Sequence, residues 1–185
     1  KRFHSFEPGT MDHAVYGADL LFGPEQMIRR FVTDSSFDQL ICVAIAKHSD
    51  FKLEGIEDER TLLHARLIRD ADKLDNCRVK LEESMETLLD MDEKTVGASP
   101  ISPKVWESCK AEESVLSADR KTGMDYWMSY LALYFDINFP ETYQIIKEQD
   151  YIRRIADRVP YSREDTKEKV AYTVKKLEEK MNTQP

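Results

Sequence analysis

The residues with the most chemical potential lie in "HARLIRDADKLDN", positions 64 to 76, where Asp70, Asp72 and Asp75 fall within six residues of a helical pattern. On a 100-degree wheel the apolar face of this segment runs through Leu63, Leu67, Ala71 and Leu74. Asp75 points into that face, near the direction of His64. Asp72 lies on one margin beside Ile68, and Asp70 lies on the other. A carboxylate at a core edge is costly unless it is paired or bound to a cation. Arg66, Arg69 and Lys73 are ordinary partners for it. A divalent metal is the alternative, and the wheel does not separate Asp72 from Asp75.

The other metal-ligating residue type is scarce. The histidines are His4, His13, His48 and His64. His48 falls on the stripe formed by Phe37, Ile41 and Ala44, so it is either a hydrogen-bonded core histidine or a group facing an internal pocket. His13 lies in "MDHAVYGADLLF", one turn before Gly17. The missing Cβ at Gly17 lets a helix approach closely or opens room beside His13. Asp12 either orients the His13 ring or caps the helix.

These residues need helices to position them, because the hydrophobic period throughout is 3.6. A first helix is predicted over 10–22, stopped by Gly23 and Pro24 in "FGPEQ", with a short helix following to about 31. Ser35 or Ser36 is a candidate cap for the next helix, which carries Phe37, Leu40, Ile41, Ala44 and His48 on one stripe. After the connection "SDFKLEG", a long helix is predicted over 57–89, burying Leu63, Leu67, Ile68, Ala71 and Leu74. "VGASPISP" reads as a loop, and Pro103 starts a short helix through Trp106. "TGMDYWMSYLALYFDI" reads as a core helix, followed by one or two helices in "FPETYQIIKEQDYIRRIADRV". The tail begins at the candidate cap Ser162 and places acids early and lysines late, in the order that suits the helix dipole.

The composition fits one globular domain. Of 185 residues, 41% are apolar and 34% charged, which argues against disorder. A net charge of -8 disfavours an extended nucleic-acid surface but leaves room for a small nucleotide pocket. Cys42, Cys77 and Cys109 form no CxxC pair, so neither a zinc finger nor a disulfide scaffold is expected. A reducing, cytoplasmic setting follows as an expectation. No run of 18 apolar residues suggests a membrane span, and no signal peptide is visible.

"DHAVYGADLLF", "AIAKH" and "IRDADKLD", in that order, resemble the HD-domain superfamily of metal-dependent phosphohydrolases, most closely a bacterial subgroup. The likeness covers roughly residues 1 to 90, and "KTGMDYWMSYLALYFDINF" extends it. It implies an all-α fold: a single compact helical domain, with residues 1–90 as the HD-type core lacking its N-terminal part and 91–185 as C-terminal helices packed on it. In the family an early histidine and a His-Asp doublet precede these blocks. Neither is in this sequence, where His4 stands in "RFHSF", and the expectation is that they lie upstream of Lys1. The family's closing aspartate, in an "AD.L" motif, corresponds to Asp72, and its additional histidines to His13 and His48. His64 has no counterpart as a ligand.

The resemblance therefore implies Asp72, His13 and His48 as metal ligands and catalytic residues, with Asp12 and Asp75 supporting them. Lys73 and Arg69 are the candidates to attract phosphate. Imidazoles with carboxylates suit one or two ions of Mn, Fe, Zn, Co or Ni, and Mg less well. Such an ion activates water and offsets charge on phosphoryl oxygens. The implied partner is a small phosphorylated molecule, a nucleotide by preference, and a homodimer is allowed. No G-x-S-x-G elbow, P-loop or H-E-x-x-H motif supports another hydrolase class. The alternative is a non-catalytic HD-type domain that senses a nucleotide or serves as an interaction module.

Overall fold

A computed structural model describes residues 12–183; His4 and the first two positions of the predicted first helix lie outside them. Ten α-helices and three 3-10 segments make up the regular structure, with no strand among the described residues. The protein is all-α, as its hydrophobic period requires. It divides into two compact units, the first ending at Arg69 and the second beginning at Asp70.

The first unit opens with α1 (His13–Phe22), capped by Asp12, whose Oδ1 accepts from the amides of Ala14 at 2.9 Å and Val15 at 3.2 Å. Of the two roles open to Asp12, the structure shows the cap. Gly23 ends α1, and a 3-10 turn, Met27–Arg30, follows. Helix α2 (Asp38–Lys47) is not capped by a serine. Asp34 instead accepts from the Ser36 amide and hydroxyl, and Phe37 occupies the N-cap position without a side-chain bond. Ala14 and Ala18 on α1 and Ala44 on α2 are buried, and these small side chains let the two helices lie close. A Cβ at Gly17 would meet Ile45 Cγ2 at 3.8 Å, an ordinary contact, so this glycine is not forced by crowding. Asp58 starts α3 (Glu59–Glu82) by accepting from the Thr61 amide and hydroxyl at 2.7 and 2.6 Å.

The predicted apolar face of α3 is overturned at Leu63, Leu67 and Ala71, while Ile68 and Leu74 are half-buried and Leu74 packs against the core. Leu63 and Leu67 are 52% and 54% exposed, and Ala71 is exposed too. The helix buries Thr61, Ala65, Arg69, Asp70, Lys73, Cys77 and Lys80 instead. Polar side chains win this face because several of them reach specific backbone partners, which offsets their desolvation. The helix also ends earlier than predicted, at Glu82, and Ser84 caps a separate α4 (Met85–Leu89).

The second unit holds the large apolar core. Asp92 caps α5 (Glu93–Ala98), which converts the first three residues of the predicted "VGASPISP" loop into helix. The alanine-sized space at Gly97 is taken: a Cβ there would lie 2.3 Å from the Pro160 carbonyl oxygen, while Ser162 N donates to Gly97 O. Helix α6 (Pro103–Lys110) has proline in its first turn and runs a turn longer than predicted. At the centre is α7 (Gly123–Ala132), whose Met124, Trp127, Met128 and Leu131 are fully buried. A reciprocal capping box between Thr122 and Asp125 starts it. Buried Asp125 also accepts from the Ser102 amide and hydroxyl at 2.7 and 2.6 Å, tying α6 to α7. Around this core stand α8 (Pro140–Glu148), α9 (Tyr151–Ala156) and α10 (Glu164–Thr183). The tail helix starts two residues past Ser162 and carries Glu164 and Asp165 in its first turn and Lys180 in its last.

Candidate functional site

In the first unit, His13 opens α1 and His48 closes α2 as its C-cap residue. The packing of α1 on α2 brings residues 35 positions apart together: the two Nε2 atoms are 3.2 Å from one another, with the rings edge-on at 77° and 5.0 Å between centroids. His48 Nδ1 lies 2.7 Å from the Ile45 carbonyl oxygen. A carbonyl only accepts, so Nδ1 carries the proton, and the Nε2 of a neutral His48 ring presents a lone pair. This is the arrangement in which a backbone carbonyl fixes the tautomer of a metal-binding histidine. Two nitrogens each about 2.05 Å from a tetrahedral ion stand about 3.3 Å apart, so the observed separation fits two ligands of one cation. Without an ion, His13 Nε2 donates to His48 Nε2. His13 is exposed and His48 half-buried, so the pair is open to solvent.

Arg69 holds the His48 end in place. It is 6% exposed, and its guanidinium donates to the carbonyl oxygens of His48 at 3.0 Å, Phe51 at 3.0 Å and Asp50. Three carbonyls from the turn after α2 thus converge on one planar donor fork. Against the expectation that Arg69 attracts phosphate, its Nη1 and Nη2 donate to these three carbonyls, which makes it a positioning residue for His48. No periodic signal in the sequence marks that role, since it depends on a turn 18 to 21 residues upstream.

The second unit contains the three aspartates, and it sorts them differently from the wheel. Asp70 is 1% exposed and accepts from the Asn138 amide at 3.1 and 3.0 Å, the Asn138 side-chain amide at 2.7 Å and the Phe139 amide at 3.0 Å. It binds the chain at the start of α8, where free amides and the helix dipole favour a carboxylate. Asp72 is exposed, and the Asn76 side chain donates to its Oδ2 at 3.2 Å and its carbonyl at 3.0 Å. Asp75, expected to point into the apolar face near the direction of His64, is exposed and forms an ion pair with Arg78 at 3.0 Å. Lys73, the other candidate for phosphate, is 4% exposed and bonded to the carbonyl and carboxylate of Asp136, the latter at 2.8 Å. Burial and these bonds withdraw it from solvent.

The cysteines carry no disulfide among the described residues. Burial pushes the Cys77 thiol up to about 11 and the Cys109 thiol up to about 12, so both remain protonated and unreactive at neutral pH. Among the described residues no three His, Cys, Asp or Glu side chains gather as a metal-holding group. The histidine pair fits a metal as two ligands, and Asp72 belongs to the other unit. No described helix is long and apolar enough to cross a membrane.

Compared with protein-family models, curated proteins and solved structures, the chain matches none.

Proposed function

We propose that this chain is an HD-type metal-dependent phosphohydrolase acting on a nucleotide or other small phosphate ester. The observation that carries the reading is the His13–His48 pair, with Nε2 atoms 3.2 Å apart and the His48 tautomer set by Ile45. The ordered resemblance of "DHAVYGADLLF", "AIAKH" and "IRDADKLD" to the HD superfamily supports it. A bound divalent ion would activate water and offset charge on the phosphoryl oxygens. Within the first unit His13 and His48 would hold it; Asp72, in the second unit, is the carboxylate that the resemblance names as a metal ligand. Arg69 keeps the His48 turn in position, and Asn76 orients the Asp72 carboxylate. The proposed setting is cytoplasmic, and the proposed ions are Mn, Fe, Zn, Co or Ni.

One observation favours a second reading. The described residues gather no group of three ligands, which suits a domain of this type that binds a phosphorylated ligand without hydrolysing it.

Elemental analysis of protein purified without added metal or chelator separates the two. Near-stoichiometric transition metal, lost in His48→Ala and in Asp72→Ala with helicity retained, supports the hydrolase and calls for a phosphate-ester panel. Wild-type protein that takes up no transition metal after reconstitution refutes the metal mechanism.

A further inference from the structure

Lys80 is a buried cation without a counter-ion among the described residues. It lies in α3, is 7% exposed, and has neither a hydrogen bond nor an ion pair among the described residues. Among the described residues its close partner is the Tyr130 ring on α7, 3.8 Å from Nζ to the ring centroid. That ring is fixed edge-on against Trp127 at 5.8 Å. Arg158 donates to the backbone carbonyls of Lys80 and Glu83, so the helix end that carries Lys80 is held as well. A cation over a ring gains less than an ammonium loses on leaving water. In a chain with net charge -8 a carboxylate partner would be easy to supply. Lys80 keeps 7% of its surface open to solvent.

Its position along the helix says where such a ligand would lie. Asp72, Asn76 and Lys80 follow at four-residue steps on one side of α3, and the Asn76 amide already contacts Asp72. Helical side chains lean toward the N-terminus, so Lys80 reaches back toward Asp72 across roughly 12 Å of axial rise. Burial lowers the Lys80 pKa, and the Asp72 charge acts in the opposite direction.

We infer that Lys80 is the phosphate-holding cation of this chain, taking the phosphate of a small phosphorylated ligand that lies along the Asp72–Asn76–Lys80 side of α3. The inference deepens the phosphohydrolase reading and replaces Lys73 and Arg69 in that role.

The test is run without metal, so that it does not depend on hydrolysis. The full chain, labelled with 13C-lysine and treated with chelator, is titrated with inorganic phosphate, and Lys80 Cε is assigned by its loss in Lys80→Arg. The expected result is a saturable shift of Lys80 that precedes any shift of exposed Lys104 or Lys175. Phosphate affinity should fall at least tenfold in Lys80→Met and stay within threefold in Lys80→Arg, with unchanged circular dichroism. A Lys80 signal that moves no more than those of Lys104 and Lys175 overturns the inference, and this readout needs no variant to fold other than Lys80→Arg. Equal phosphate affinity in folded Lys80→Met overturns it too. Phosphate held by Lys80 in a protein that takes up no metal supports the inference while removing the hydrolase. Metal-dependent hydrolysis with no response at Lys80 does the reverse.

Discussion

Replacing Asp70 with alanine tests the claim that this aspartate, and not its neighbours, is structural. The substitution strips acceptors from three donors: the Asn138 amide, the Asn138 side chain and the Phe139 amide. A net hydrogen bond contributes about 1 kcal/mol and more when the acceptor is charged. Asn138 and Phe139 are only half-buried, so water partly replaces the lost acceptor, and the low end applies. Three donors then give a loss of about 3–4 kcal/mol. At roughly 3 °C per kcal/mol for a protein of this size, Tm falls by about 10 °C. Asp70→Asn keeps one acceptor oxygen but sets an amide against a donor, so its loss should be about half as large. Trp106 and Trp127 both lie in the second unit, so tryptophan fluorescence follows the unit in question without interference from the first. A drop in Tm below about 2 °C for Asp70→Ala would refute the reasoning. It would mean that solvent replaces the carboxylate at almost no cost.

Two further outcomes follow from the helix that carries this residue and from its capping groups. A core leucine cut to alanine loses about 2–5 kcal/mol, but Leu63→Ala and Leu67→Ala should each lose less than about 1 kcal/mol, because half of each side chain is in water; a shift in urea midpoint equivalent to more than about 2 kcal/mol would show that these side chains are covered. The carboxyls of Asp58 and Asp92 are held below the usual 3.8 by bonds from Thr61 and Thr95. Their contribution is complete above that unfolded value and is lost as pH falls through the lower folded values. The double variant Asp58→Asn, Asp92→Asn should therefore show a shallower fall in Tm with acid below about pH 4, and an unchanged slope would contradict the capping account.

The sequence by itself determined the helical class, because a 3.6-residue period admits no sheet, and it determined that Met124, Trp127 and Leu131 lie in a core, because "MDYWMSYLALYF" is apolar on every side. It also marked some helix ends through local chemistry: Gly23 after α1 and Pro103 at the start of α6, with Asp12 as a cap one of its two readings. It picked out His13 and His48 as separate candidates, His13 within the first predicted helix and His48 on the stripe of the next. Only tertiary structure brought their Nε2 atoms together, since that distance comes from α1 packing on α2 through alanines. The face of α3 was also a tertiary decision. A helical wheel ranks side chains by hydropathy, whereas the folded chain offered Asp70 three donors, Arg69 three carbonyls and Lys73 a partner in Asp136. Those partners lie between 18 and 69 residues away, beyond the reach of any local pattern. They are strong enough to bury charged groups while Leu63 and Leu67 remain in water.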